Sequence, residues 1–252
     1  MSVSTRQSEI IQQWYHRSSM QDALACVKRE LDQALPTCFG YHLVQLADIE
    51  FVACYKGSKI NHCVRCQPDG EILSESEHLP FDADSIDVLI AMHSLDTSSD
   101  PHQVLREIQR VLAPQGQLFL VGLNPSSLSA LSGLLAKLTL REQTSPRSAL
   151  SVHRLDDWFR LLGMERTRLR YFAHLPYSGT HSKLNRALSA VTRWLEAHRM
   201  PAGRIYFIRA TKQVCAISRP HLARFRPRLR AIGIGKSVVT SRQTKETLQN
   251  ND

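Results

Sequence analysis

Long apolar runs are missing from this chain of 252 residues. The stretch that comes nearest, residues 128–140, is broken by serines, Gly133 and Lys137, so no membrane span is expected. Residues 1–13 lack the apolar centre of a signal peptide, which makes the cytoplasm the expected location. Cysteine is sparse and scattered: six residues without a framework of spacings fit reduced thiols better than disulfides. Acid is also short, with 23 Asp and Glu against 32 Lys and Arg; the resulting charge of +9 favours anionic partners but says nothing about fold. What is present is 42% apolar residues, enough to bury one sizeable core, most economically as a single α/β domain with extensions.

Residues 79–123 organise the rest. Residues 88–92 have the length and composition of a strand buried on both faces. Asp100 is placed to cap a helix, Pro101 suits its first position, and Gln103 stands where a capping-box partner would. Val104, Leu105, Ile108, Val111 and Leu112 recur on one face of that helix, and Arg106, Glu107, Gln109 and Arg110 take the other. Pro114 and Gly116 then make a turn into a second buried strand over residues 118–123. A strand, helix, strand unit of this kind closes as a right-handed parallel crossover, with ligands expected beyond the carboxyl ends of the strands.

Leu79-Pro80-Phe81, Ser85-Ile86-Asp87, Leu105-Arg106-Glu107, Arg110-Val111-Leu112 and Pro114-Gln115-Gly116, at these spacings, resemble the second half of a class I S-adenosylmethionine-dependent methyltransferase of the type 11 kind. His93-Ser94-Leu95-Asp96, Asp100-Pro101-His102 and Gly122-Leu123-Asn124-Pro125 further resemble one bacterial branch of that family. The resemblance implies a doubly wound, mostly parallel α/β sheet of the Rossmann-like methyltransferase fold with an antiparallel last strand. It also implies S-adenosylmethionine as cofactor and an unidentified methyl acceptor as substrate.

The rest of the chain is weighed against that expectation. Residues 1–18 read as a flexible arm in which only Trp14 and Tyr15 would dock, followed by a methyltransferase-like domain over 19–216. Met20, Leu24, Val27, Leu31 and Leu35 predict a helix ended by Pro36. Residues 40–46 are the expected first strand, 60–66 the second and 71–75 the third; residues 51–55 are either a stub helix or a strand. Further helices are expected from Asn124-Pro125 through Leu138, around Leu155 to Leu162 with a stop at Gly163, and around Leu184 to Leu195. Strands are expected over 165–172 and 204–212, and connecting loops over 141–147 and 174–181.

In the family, the first strand ends in an acid and a glycine-rich turn, because backbone N–H groups approach the methionine part of the cofactor closely. Aligned through Leu43-Val44, Gln45 stands in the acidic position, Ala47 in that of the first glycine and Ile49 in that of the next; no glycine occurs between Tyr41 and Lys56. The resemblance thus assigns cofactor contacts to the turn from Gln45 and Ala47 to Asp48, to Asp69 as the nearest acid after the second strand, and to Glu75 and Ser76 after the third. Glu75 would accept from the adenine amino group, although a solvated loop acid is an equal reading. His93, at the carboxyl edge of the fourth strand, is placed to act as a general base oriented by Asp96, or else to hydrogen-bond its own loop. Cys63 and Cys66 form a lone Cys-x-x-Cys whose sulfurs would point to opposite faces of a strand, so buried thiols and no metal are expected.

Past Arg219 the chain changes character. Between residues 219 and 245 eight Lys and Arg include Arg226, Arg228 and Arg230, and the only aromatic is Phe225, so 217–252 reads as a basic, disordered tail. Phosphate contacts could hold nucleic acid or another anionic partner there, but base stacking could not. Two functions therefore stand side by side: a methyltransferase on an unidentified acceptor, and a catalytically inactive protein of that fold that binds an anionic partner through its tail.

Overall fold

The computed structural model describes residues 3–15, 18–127, 150–172 and 203–213. All of them belong to one compact unit, Met1–Cys215; a second unit, Ala216–Asp252, lies outside the described residues together with the expected basic tail. The helices expected around Leu128 to Leu138 and Leu184 to Leu195, and the loops over 141–147 and 174–181, also fall outside them.

The elements run α1 (Val3–Tyr15), α2 (Ser18–Ala34), β1 (His42–Leu46), β2 (His62–Cys66), β3 (Ile86–Met92), α3 (Ser94–Thr97), α4 (Pro101–Val111), β4 (Leu112–Leu123), α5 (Val152–Leu161), β5 (Met164–Phe172) and β6 (Ile205–Lys212). They form one six-stranded sheet ordered β2-β1-β3-β4-β6-β5. β1 is parallel to β2 and β3, and β3 is parallel to β4. β6 is antiparallel to both β4 and β5, between which it lies. This is the expected Rossmann-like sheet with its antiparallel last strand.

Alternation along the strands decides which side chain faces which layer. Leu43, Val88, Ile90, Phe119, Val121 and Phe207 join Val27 and Leu31 of α2 in one core. Their neighbours Val44, Leu89, Leu118, Leu120, Tyr206 and Ile208 join Leu105 and Ile108 of α4 and Phe159 of α5 in the other. A three-layer domain results. Each of these buried aliphatic and aromatic side chains contributes about 1.5–3 kcal/mol relative to leaving it in water.

α4 begins as its sequence predicts. Asp100 Oδ1 accepts from the backbone N–H groups of His102 and Gln103, and Pro101 takes the first position. The N–H of Asp100 itself donates to Ser98 Oγ, so the back-bond of a capping box is supplied by serine. The motif residues around α4 form a clamp. Arg110 donates to the carbonyls of Leu79 and Phe81 at 3.0 and 2.9 Å, and Glu107 accepts from Leu79 N and from Arg110. Leu79-Pro80-Phe81, Glu107 and Arg110 therefore tie the loop before β3 to α4. α5 ends at Gly163, whose φ of +65° favours glycine.

Two expectations are corrected. Residues 3–15, read as part of a flexible arm, form a helix in which Ile11 is buried and Trp14 and Tyr15 pack on the core. Burying one isoleucine and two aromatic rings supplies what a polar arm would lack. Residues 71–75 form no strand: Ile72 makes a single parallel bridge to Cys66, so β2 is left as the edge of the sheet. Its alternation is too short and too acidic, with Glu71, Leu73 and Glu75 all exposed, to bury a face. Residues 51–55 are neither helix nor strand.

Candidate active site

The order of the strands reverses between β1 and β3, where β2 lies to one side of β1 and β3 to the other. Open α/β sheets bind ligands at the carboxyl edge of such a switch point. Here that edge consists of the residues after β1, from Ala47 to Cys54, and those after β3, from His93 to Thr97.

His93 follows β3 directly and caps α3 in a left-handed conformation, φ +57°, uncommon for a residue with a side chain. Its N–H remains on the ladder, donating to Val121 O, while the chain turns into α3. Nδ1 stands 2.7 Å from Asp96 Oδ2, and both side chains are fully buried. Oδ2 also accepts from Leu123 N at 3.0 Å, and with Asp96 ionised Nδ1 is the donor to it. Nε2 is then the acceptor on the far side of the ring, and the Tyr15 hydroxyl donates to it at 2.6 Å. A chain of tyrosine, histidine and aspartate results. Burial raises the pKa of Asp96 above the usual carboxylate range against the opposing His93 hydrogen bond. Burial, with Asp96 and Cys54 nearby, holds the Tyr15 phenol far above its ordinary value, so it remains a neutral donor. Phe51 completes the group, stacked on His93 at 6.1 Å and edge-on to Tyr15 at 5.0 Å.

A second cluster surrounds Asp48. Ser76 Oγ donates to its Oδ1 at 2.6 Å and the Thr97 hydroxyl to its Oδ2. Burial raises its pKa, these two bonds lower it, and the neighbouring carboxylates of Glu77 and Glu75 raise it again. Glu75 is exposed, and among the described residues its side chain makes no hydrogen bond. Three acids thus share this edge.

The turn after β1 is not a glycine cradle. Gln45 is fully buried: its Oε1 accepts from Cys54 N at 2.8 Å, and its Nε2 faces Gln67 Oε1 at 3.3 Å. Gln67 Nε2 in turn donates to Phe51 O and to Asp69. Two glutamines thus hold residues 51–54 against the ends of β1 and β2. Ala47 is buried, its N–H extending the ladder to Cys66 O, and Ile49 is buried beyond it.

Of the residues singled out from the sequence, the structure brings His93 and Asp96 together directly, and joins Asp48 to Ser76. Glu75 lies near Asp48. Gln45, Ala47 and Asp69 are bound into the fold. The sequence reading missed Phe51, Gln67 and Thr97, and it took Tyr15 only as a residue that docks. No local pattern marks them, since each meets the site from a different stretch of chain. Cys63 and Cys66 point to opposite cores, Cys63 Sγ toward Ile60 O at 3.2 Å and Cys66 Sγ toward Ser74 Oγ at 2.9 Å, and burial raises both thiols. Among the described residues no helix is long and apolar enough to cross a membrane.

Comparison with known proteins agrees with this architecture. A methyltransferase-domain family matches residues 49–120, the span from the turn after β1 through most of β4. The uncharacterized protein YafS of Escherichia coli K12 is 32% identical over 164 residues, which cover 63% of this chain and 67% of YafS. Two solved structures share the fold. One, a candidate methyltransferase from Bacillus halodurans, has a TM-score of 0.53 at 16% identity, over 74% of this chain and 99% of its own. The other, a candidate methyltransferase of Haloferax volcanii solved in complex with the Trm112 methyltransferase activator, has a TM-score of 0.51 at 15% identity, over 82% of this chain and 98% of that one.

Proposed function

This chain belongs to the type 11 class I methyltransferases, whose cofactor is S-adenosylmethionine, and from that premise we propose that it methylates an acceptor whose proton is taken by His93. The observation that carries the proposal is the buried His93, held on one nitrogen by Asp96 and already bonded to a hydroxyl through the other.

The residues present fit the cofactor in chemistry. Its ammonium and sulfonium groups are cationic, and the switch-point edge gathers Asp48, Glu75 and Glu77 in a chain that is otherwise basic. The ribose and adenine need acceptors, and Glu75 is an exposed carboxylate with no hydrogen bond of its own among the described residues. Asp48, Ser76 and Glu75 are thus the proposed holders of the cofactor. Gln45, Ala47 and Asp69 shape the turn on which it would rest. When bound, S-adenosylmethionine supplies a methyl carbon that bonds to the acceptor's lone pair, while the electron pair of the broken carbon–sulfur bond stays on sulfur.

The chain's own contribution is to position and to move a proton. Asp96 fixes the tautomer of His93, so that Nε2 is the free base, and its negative charge stabilises the imidazolium that forms. Excluding water from His93 and Asp96 strengthens that interaction. The left-handed backbone at His93 is the strain, of the order of 1 kcal/mol, that sets this ring at the strand end.

Calorimetric titration with S-adenosylhomocysteine tests the cofactor site. Binding in the micromolar range, weakened about tenfold in Glu75→Ala as for the loss of one charged hydrogen bond, is expected. No heat and no thermal stabilisation at millimolar ligand would overturn the reading.

A further inference from the structure

The base of the proposed reaction is already engaged. Tyr15 Oη lies 2.6 Å from His93 Nε2, the position from which an acceptor would give up its proton. As long as this bond stands, His93 can take a proton from nothing else. The tyrosine ring is also seated in an aromatic slot: Phe51 meets it edge-on at 5.0 Å and 83°, and His93 at 5.5 Å and 61°. The slot therefore matches a flat ring in shape and a hydroxyl in chemistry. An aliphatic alcohol would meet the nitrogen but leave the ring faces uncovered.

Tyr15 does not belong to the sheet that builds the site. It is the last residue of α1, whose only fully buried side chain among residues 8–15 is Ile11. Trp14, beside it, has the Arg204 guanidinium 4.3 Å over its ring, so α1 has an anchor that does not depend on Tyr15. Ile11 and Trp14 thus hold α1 by contacts separate from those that Tyr15 makes.

We propose that the acceptor is a phenolic hydroxyl, which displaces Tyr15 from the aromatic slot and places its oxygen on His93 Nε2. This rests on the methyltransferase reading of the same site and names its substrate class. Tyr15 is the stand-in for the substrate, and it keeps the buried imidazole satisfied when none is bound. In the reaction the phenol O–H bond breaks with its proton passing to His93 Nε2, and the oxygen lone pair forms the bond to the methyl carbon. Asp96 holds the imidazolium until the proton returns to water.

p-Cresol, a tyrosine side chain without its backbone, is the probe. In Tyr15→Ala it is expected to bind at least about tenfold more tightly than in the wild type, and about fivefold more tightly than toluene, the worth of one net hydrogen bond. Tyr15→Phe keeps the packing and so reports even if the alanine variant does not fold. With its ring no longer bonded to His93, p-cresol is expected to bind it about fivefold more tightly than the wild type. Equal binding of p-cresol and toluene to Tyr15→Ala, or no gain over the wild type in either variant, would overturn the proposal. S-adenosylhomocysteine is titrated into the same samples. Its binding without the cresol effect sinks only the substrate class, whereas the cresol effect without cofactor binding sinks the methyltransferase reading and leaves a phenol site.

Discussion

Replacing Glu107 by alanine separates what the family motif does for the fold from what it does for the site. The Glu107 carboxylate accepts from Leu79 N at 3.2 Å and from Arg110 Nε and Nη2 at 3.0 and 2.8 Å. Removing it leaves a partly buried backbone donor without its partner, at a cost of about 1–2 kcal/mol. The Arg110 bonds add less than buried charge-assisted bonds would, because that side chain is 37% exposed and screened by water, so about 0.5–1 kcal/mol is assigned to them. Arg110 keeps its two carbonyl bonds, so the loop is loosened and not released. The sum, about 1.5–3 kcal/mol, corresponds to a fall in Tm of roughly 3–12 °C for a domain of this size. Urea unfolding of the two proteins measures it. The sign with pH is fixed as well: the Arg110 hydrogen bonds hold the Glu107 carboxyl below its usual range, so its stabilisation is present above the unfolded value of about 4.3 and is lost as pH falls through the folded value. The gap between the variants should therefore be flat at neutral pH and close in acid. A stability change below about 0.5 kcal/mol together with lost S-adenosylhomocysteine binding would refute this reasoning, and would make Glu107 part of the binding machinery.

Gly122→Ala should destabilise by about 2 kcal/mol or more in the same assay, because a Cβ there would stand 2.2 Å from the hydroxyl of Tyr206, a fully buried cross-strand neighbour; an unchanged midpoint would show that the ring has room to shift. Asp48→Asn should equal or exceed the wild type in thermal stability at pH 7–8. Burial raises the Asp48 pKa, so its contribution is fully present below the unfolded value of about 3.9 and is lost as pH rises through the folded value. The two proteins should converge in acid, and a loss above about 1 kcal/mol at neutral pH would show that the charged form is the one the Ser76 and Thr97 bonds require.

The amino-acid order alone determined the parallel core of this protein. A helix with Asp100 before Pro101 and an apolar face at Val104, Leu105, Ile108 and Val111, set between two apolar runs, admits few alternatives, because capping and periodicity are local and act together. The pairing of His93 with Asp96 was legible for the same reason: three residues along a single turn of chain bring them together. Tertiary structure alone decided the rest. Residues 71–75 carried a short alternation but no face to bury, and only the sheet shows that β2 is left at the edge. Residues 3–15 look like a polar arm until Ile11, Trp14 and Tyr15 find the core. The site itself is assembled from Tyr15, Asp48 with Phe51, Ser76 and His93, which lie on four separate stretches of the chain. Their contacts depend on which strand lies beside which, and no local periodicity encodes that order.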